Sequence, residues 1–363
     1  MSGIVVFGGY GVFGSHVARE LVRLGHSVVI AGRDVCKAAA FARELGAQHG
    51  AIAANVRDIA SCRAALRGCP TAVHCAGPFR EFDAAVLDAC LAEDCHYVDI
   101  ADDRDYTRLV RSYGDRFTER GRAAVYGCSS FPGLSGALAF AAAIPNKIPT
   151  QARVTLFIGN NNPKGRAAVR SLLGGLGATI STPQGKVRAF HQGESVPLPP
   201  PFGRRTVFNF SSPEYDLLPP RLGVAKVTVK VGFELRPVNY GLAALAPFGP
   251  RVALRLSPVL EWLCDRTSGI GSSGGAVMVE LFYPDRSIRR AALVARSEGQ
   301  RMAALPAALV AHALANGARL KGSQTAYEAL GAAPLLQSAV AAGFDLVQSS
   351  IGCRDGSASQ PGK

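Results

Sequence analysis

The stretch Val5–Asp34 reads VVFGGYGVFGSHVARELVRLGHSVVIAGRD. It places Gly8, Gly9, Gly11 and Gly14 directly after the β-branched and aromatic run Ile4–Phe7, which predicts a strand. Phe13, Val17, Leu21 and Leu24 then recur at spacings of four, four and three, with Arg19, Glu20 and Arg23 off that apolar face, as in an amphipathic helix. Gly25 is a good residue to end the helix, and Ser27–Ala31 predicts a second strand. Strand, glycine turn, helix and strand form the context in which Gly9-Tyr10-Gly11-Val12-Phe13-Gly14 has meaning as G-x-G-x-x-G. The first glycine permits a tight turn, the second lets the backbone approach a pyrophosphate, and the third lets the helix pack on the strand. The helix amino end offers free N–H groups and a partial positive charge to the phosphates.

The end of the second strand selects the nucleotide. An NAD site places an acid there to accept from the ribose 2′-hydroxyl. Here the strand ends Ala31-Gly32-Arg33, and Arg33 stands 19 residues after Gly14. A guanidinium at that point suits a 2′-phosphate through a charge-assisted, forked contact, so NADP is expected ahead of NAD. Asp34 either reaches a 2′-hydroxyl or caps the next helix.

Outward from this stretch, strand and helix alternate without a hairpin signal. Strands are predicted at Ala51–Asn55, Ala72–Cys75, Tyr97–Ile100 and Ala123–Tyr126. Helices are predicted at Lys37–Leu45, Ile59–Leu66 behind Asp58, Ala84–Ala92 behind Asp83, and Asp105–Arg120. This is the pattern of an α/β fold with a Rossmann-type doubly wound parallel sheet. From about residue 150 the texture changes. Val154–Ile158, Val207–Phe210 and Val227–Phe233 alternate with period two, and Val277–Tyr283 and Ala291–Ala295 flank a turn at Pro284-Asp285-Arg286, an antiparallel hairpin. Helices are predicted at Ala303–Asn316 and Ala326–Ala342, and loops at 197–201 and 213–223. The expected division is an NADP-binding domain over 1–130, an α+β substrate and dimerisation domain over 131–345, and a tail over 346–363, frayed from Arg354.

The chain has 363 residues, 48% of them hydrophobic and 18% charged, an ordinary globular composition with room for two cores. Net charge is +13, but the basic residues are scattered and aromatics are only 7%, so nucleic acid is not expected. Ala123–Asn146 is long enough for a membrane span, but its prolines and glycines fit a strand, a turn and a helix better. No signal-peptide pattern precedes the first strand, and nine cysteines without C-x-x-C or zinc spacing suit buried thiols in a cytoplasmic protein with no metal site. Gly241–Leu263 is strongly apolar, with Arg251, Arg255 and Trp262. Its prolines prevent one straight helix, and it reads either as a buried insertion or as an amphipathic surface that meets a membrane or a lipid-like substrate.

Four motifs in order, GGYGVFG…AGR, CAGPF, HYVDIADD and GCSSFPGLS, give the sequence a resemblance to the saccharopine dehydrogenase-like oxidoreductases. It is strongest over residues 1–140 and weaker through GGAVMVELF and EGQRMAALPAALVAHALANG. The resemblance implies a Rossmann-type domain that binds NADP or NAD and a second α+β domain that holds the substrate. It implies nucleotide contacts at Gly8, Gly9, Gly11, Val12, Phe13 and Gly14, and at Arg33. It puts Ala76, Gly77, Pro78 and Phe79 beside the nicotinamide ribose, and Ala101 and Asp102 near the reacting carbon. Saccharopine-forming members carry an acid before the Pro-Gly of the sixth-strand loop and another soon after. In Ser130-Phe131-Pro132-Gly133-Leu134-Ser135 these are Phe and Ser, so the resemblance is to a divergent branch, not to saccharopine dehydrogenase itself. Relatives of that branch include enoyl reductases acting on lipid chains.

Hydride transfer needs a proton donor near the nicotinamide, and the loops after strands four to six face the crevice where it would stand. Asp102 is the acid/base candidate, Asp99 reads as structural, and either Asp102 or Asp103 caps the following helix. No Tyr-x-x-x-Lys spacing occurs in the first domain. Lys164, His16 and His26 read as loop or surface residues, and Tyr97 as packing. Two functions stay open: hydride transfer to or from a small or lipid-like substrate at a C=N or C=C bond, or a non-catalytic dinucleotide-binding, membrane-associated or sensing protein. The expected partners are a small-molecule substrate, a membrane surface touched peripherally through 241–263, and a second copy in a homodimer.

Overall fold

The computed structural model describes residues 3–267 and 269–351. Six short strands, β1 (Ile4–Phe7), β2 (Val28–Gly32), β3 (Gly50–Ala53), β4 (Thr71–His74), β5 (His96–Asp99) and β6 (Ala123–Tyr126), form one sheet. A late strand, Gly322–Thr325, joins it beside β6, giving the order Gly322–Thr325, β6, β5, β4, β1, β2, β3. Every pairing is parallel. β1, β4, β5 and β6 are buried at every residue, because helices cover both faces, as an all-parallel sheet requires.

Helix α1 (Val12–Arg23) buries Val17 and Leu21 as its periodicity predicts. It ends in a Schellman turn: Gly25, at φ +87°, donates to the Val22 carbonyl at 2.9 Å and His26 to the Leu21 carbonyl at 3.0 Å. Glu20 departs from the expected polar face. It is buried, pairs with Arg23 at 2.5 Å and faces Arg301 at 3.9 Å, because the helix Gly299–Ala315 packs across α1 from the far end of the chain. Helix α2 (Val35–Leu45) starts at Asp34, whose side chain accepts from the Lys37 amide at 3.0 Å.

The second sheet has the strand order Glu194–Pro197, Arg204–Asn209, Lys226–Phe233, Gln151–Ile158, Gly275–Phe282, Ile288–Ala295, Asp345–Ile351. Lys226–Phe233 runs parallel to Gln151–Ile158 and the other pairings are antiparallel, including the expected hairpin at 284–286. The architecture is therefore α/β, a Rossmann-type sheet with a second mixed domain.

Three expectations on secondary structure change. The long helix expected at Asp105–Arg120 is two, Arg104–Ser112 and Gly114–Glu119, and Ala326–Ala342 breaks at Gly331, at φ +82°. Residues 213–223, expected as a loop, contain the helix Glu214–Leu222 with Pro219 and Pro220 in its second half. Burial of Tyr215, Leu217 and Leu218 against Lys226–Phe233 holds this helix despite the two missing N–H donors, and Gly223 at φ +66° closes it. The apolar run from Ala123 divides into β6, a tight turn at Ser130–Leu134 and the helix Ser135–Ala142. Among the described residues no helix is long and apolar enough to cross a membrane. Cys62, Cys69, Cys90, Cys95 and Cys128 are buried and Cys36 is exposed; Cys353 and the tail from Arg354 lie outside the described residues.

Candidate active site

The β1–α1 loop is built so that little but backbone faces the crevice. Gly8 has φ +71°, and a Cβ there would stand 2.8 Å from the Ala76 amide nitrogen. A Cβ on Gly14 would overlap the Gly8 carbonyl, and one on Gly9 would stand 2.9 Å from the Val6 carbonyl oxygen. These contacts exclude any larger residue and bring α1 hard against the strand. The amino end of α1 starts at Gly11, with no side-chain cap and no acid in its first turn, so its N–H groups and positive dipole end remain available to an anion. Val12 and Phe13 stand in that first turn, both half-buried.

Tyr10, which sequence reading passed over, joins this loop to the end of β2. Its ring covers Gly32, where a Cβ would overlap it, and its hydroxyl accepts from the Asp34 amide at 3.2 Å. Arg33 beside it is exposed, and among the described residues its guanidinium has neither a hydrogen-bond nor an ion-pair partner. Asp34 is committed to the α2 cap, so the free charge at the end of β2 is positive. A side-chain-free bend, an uncapped helix end and an unpaired guanidinium fit a 2′-phosphorylated dinucleotide.

Across the crevice, Ala76, Gly77 and Pro78 follow β4, with the Gly77–Pro78 peptide cis. The helix Arg166–Gly175 of the second domain lies over this loop and the glycine loop together. A Cβ on Gly165 would stand 3.0 Å from Val12, one on Gly77 would stand 3.6 Å from Ala167, and Gly174 packs on the Arg80 guanidinium. Below the β4 loop, His74 is wholly buried among Phe79, Phe82, Tyr97 and Tyr106. Its Nδ1 meets the Tyr97 hydroxyl at 3.2 Å, and burial holds the ring neutral, down to about 3. Lys164 donates to the Asn160 carbonyl at 2.5 Å and stays with its own loop.

The carboxyl ends of β5 and β6 separate the acids by role. Asp99 Oδ1 accepts from the Ala101 amide at 2.9 Å and the Gly127 amide at 2.8 Å, which stitches the two strand ends together. Asp103 caps the helix Arg104–Ser112, accepting from Asp105 and Tyr106 amides at 3.1 and 3.0 Å. Asp102 is thereby left without a capping duty. It is half-buried, and burial followed by the neighbouring Asp103 charge pushes it up to about 6.

The second domain adds an acid that sequence reading missed. Glu214 opens the helix Glu214–Leu222 and is fully buried. Ser135 Oγ donates to its Oε1 at 2.5 Å, and Ser212 Oγ donates to its Oε2. Burial pushes it up to about 7, the two serine bonds pull the other way, and the Asp102 charge raises it further. Ser135 is one of the two positions where the sixth-strand loop lacks the acid expected from the resemblance. The carboxyl comes instead from a residue 79 positions away, and no local pattern announces it.

Residues 4–125 match the family described as the saccharopine dehydrogenase NADP-binding domain. No curated protein matches the sequence significantly. Among solved structures, the apo saccharopine dehydrogenase (L-Glu forming) of Saccharomyces cerevisiae is similar over 97% of this chain and 100% of its own, at TM-score 0.66 and 11% identity, a likeness of fold. A short-chain type dehydrogenase/reductase from Mycobacterium ulcerans is similar over 34% of this chain and 65% of its own, at TM-score 0.30 and 21% identity. A triphenylmethane reductase of Citrobacter sp. complexed with NADP(H) is similar over 26% and 36%, at TM-score 0.24 and 20% identity. With the glycine cradle and Arg33 in place, residues 4–125 match an NADP-binding domain, and the chain as a whole shares the fold of saccharopine dehydrogenase.

Proposed function

We propose that the protein is an NADP-dependent oxidoreductase that transfers hydride to or from a small or lipid-like substrate at a C=N or C=C bond. The observation that carries this is the pairing of an unpartnered Arg33 with a side-chain-free cradle on one edge of the sheet, and an uncommitted Asp102 further along that edge. When bound, the nicotinamide supplies or accepts the hydride. Gly8, Gly9, Gly11 and Gly14, with Val12 and Phe13 in the first turn of α1, hold the diphosphate, and Arg33 holds the 2′-phosphate. Ala76, Gly77, Pro78 and Ala101 face the nicotinamide end. The helix Arg166–Gly175 covers that end and keeps water out. Asp102 moves the proton: with its carboxyl held near 6 by burial, it donates and accepts close to neutral pH.

Calorimetry with NADPH and NADH tests the reading. Wild type binds NADPH preferentially, and Arg33→Ala weakens NADPH by roughly tenfold to a hundredfold while leaving NADH nearly unchanged. Equal losses for both nucleotides, or no binding by wild type, overturn it.

A peripheral membrane contact is favoured by a separate observation. Gly241–Leu263 folds within three short α-helices, Arg236–Leu245, Gly249–Arg255 and Ser257–Arg266, with one tighter turn at Ala246–Phe248 between the first two, rather than as a buried insertion. Phe248 is 68% exposed and Val259 and Trp262 each 55%, alongside exposed Arg251 and Arg255. Gly249–Arg255 and Ser257–Arg266 pack on Arg166–Gly175, so a lipid surface bound here would adjoin the cover of the crevice. Apolar side chains interleaved with arginines suit an anionic lipid surface. Sedimentation with anionic vesicles is expected for wild type and lost in Phe248→Asp with Trp262→Asp. Equal sedimentation of both proteins removes the contact.

A further inference from the structure

We infer that Tyr10 sets the preference for the 2′-phosphorylated nucleotide. It is the positioning residue that holds Arg33 at the 2′-phosphate, although it carries no charge and stands in the diphosphate loop. This role rests on the NADP reading above for its ligand; the contacts that create it belong to this chain.

Tyr10 grips the chain on both sides of Arg33. Before it, the ring lies on Gly32, where a Cβ would stand 2.4 Å from Tyr10 Cε1. After it, the Tyr10 hydroxyl accepts from the Asp34 amide at 3.2 Å. Between these contacts, neither the main chain nor the side chain of Arg33 has a hydrogen-bond partner among the described residues. The point from which the exposed guanidinium reaches out is therefore fixed through its two neighbours, and Tyr10 touches both.

The hydroxyl fills a place that helix α2 leaves open. Asp34 is the N-cap of α2, and in a capping box the residue three further on reaches back to the N-cap amide with a side-chain oxygen. That residue is Lys37, whose side chain has no acceptor. Its amide donates to the Asp34 carboxylate at 3.0 Å, and its ammonium stands 3.5 Å from the same group. The Asp34 amide takes its acceptor from the glycine loop instead. The same loop also meets the end of β2 at its first residue, where the Gly8 amide donates to the Ala31 carbonyl at 2.8 Å.

The diphosphate cradle and the 2′-phosphate cation are thereby one unit. Tyr10 lies between Gly9 and Gly11, so the backbone that faces the diphosphate and the ring that faces β2 move together. A nucleotide seated at the amino end of α1 meets an arginine whose base is already placed, and less freedom is lost when the guanidinium closes on the phosphate. Removing the hydroxyl leaves the Asp34 amide without its partner and releases the Arg33 segment from the loop. A nucleotide without a 2′-phosphate makes no use of Arg33 and is bound as before. Gly32 belongs to the same device, because any side chain there displaces the ring.

The experiment is calorimetry of the full-length protein with NADPH, NADH and 2′,5′-ADP, with thermal melts to show that each variant is folded. Tyr10→Phe keeps the ring and removes the acceptor. It weakens NADPH and 2′,5′-ADP by roughly threefold to tenfold and changes NADH by less than about twofold. Gly32→Ala displaces the ring from the other side and gives the same selective loss. Asp34→Ala keeps the main-chain amide and leaves the preference intact. In an Arg33→Ala background Tyr10→Phe costs NADPH nothing further, because the hydroxyl acts through Arg33. Amide exchange of the ligand-free protein is faster at Asp34 in Tyr10→Phe than in wild type. Additive losses in the double variant, or equal losses of NADPH and NADH, overturn the role of Tyr10 and leave the NADP reading standing. Wild type that shows this coupling with 2′,5′-ADP but turns over no NADPH keeps the role of Tyr10 and removes the oxidoreductase reading. Wild type that binds neither NADPH nor 2′,5′-ADP overturns both.

Discussion

The glycine cradle after β1 and the acid cluster after β5 and β6 lie along the same carboxyl edge of one sheet, yet they are assembled in opposite ways. The cradle is made mainly of neighbours: Gly14 packs on Gly8 and Gly9 packs on Val6 within one turn of chain, and Ala76 alone comes from another strand end. The acid cluster is made of strangers. Ser135 and Ser212 reach Glu214 from separate segments, and Arg104 and Arg108, on the helix after Asp102, reach Asp216 beside it across the domain boundary. A local device is robust to what the rest of the chain does, whereas a device assembled across domains depends on how the domains dock.

Substitutions at the two devices therefore fail in different ways, and the largest effect is expected at the cradle. Gly14→Val puts side-chain atoms into the Gly8 carbonyl, so the loop must open. NADPH affinity falls by a hundredfold or more, about 3 kcal/mol, while the second domain keeps its fold. Calorimetry combined with amide exchange of Gln151–Ile158 checks this. Normal NADPH binding by this variant would remove the local character of the cradle.

Next in size is the effect of pH at Glu214. Its pKa is raised from 4.5 in the open chain to about 7 in the fold, so the folded state binds the proton more tightly. This favours the fold at low pH, and the advantage is lost as pH rises from about 4.5 through about 7. Glu214→Gln removes the penalty of a buried charge. It should leave stability at about pH 4 nearly unchanged and raise it at about pH 8, by on the order of 3 kcal/mol at most. Urea melts at the two pH values read the difference; equal effects at both would show that folding does not raise the Glu214 pKa.

The smallest effect is expected at Asp34. Its carboxylate caps α2, so Asp34→Ala costs about 1 kcal/mol of stability and leaves the preference for NADPH over NADH intact. A reversal or loss of that preference would return Asp34 to the nucleotide site.

The legibility of the two devices in the sequence follows the same division. Glycines at fixed spacing, a helix at period 3.6 and a basic residue at the end of the next strand are short-range patterns, and their physics is steric and local. The candidacy of Asp102 was half legible: its place at the end of β5 follows from the strand pattern, but only the structure shows that Asp103, not Asp102, caps the next helix. Glu214 was illegible because two prolines make 213–223 read as a loop. Tertiary burial of Tyr215, Leu217 and Leu218 overrides that local preference. Glu20 was misread for the same reason, since a helix almost 300 residues away covers its face of α1.

By itself, the sequence determined the six successive strands and helices of the first sheet, the glycine bend and the positive charge after β2, because each is encoded within one turn, one strand or one helix; the seventh strand, Gly322–Thr325, was not among them. Only the tertiary structure decided which acid is free, which is a cap and which crosses from the second domain. The charge state of a buried carboxyl depends on every group that surrounds it, and those groups are brought together by docking rather than by order along the chain.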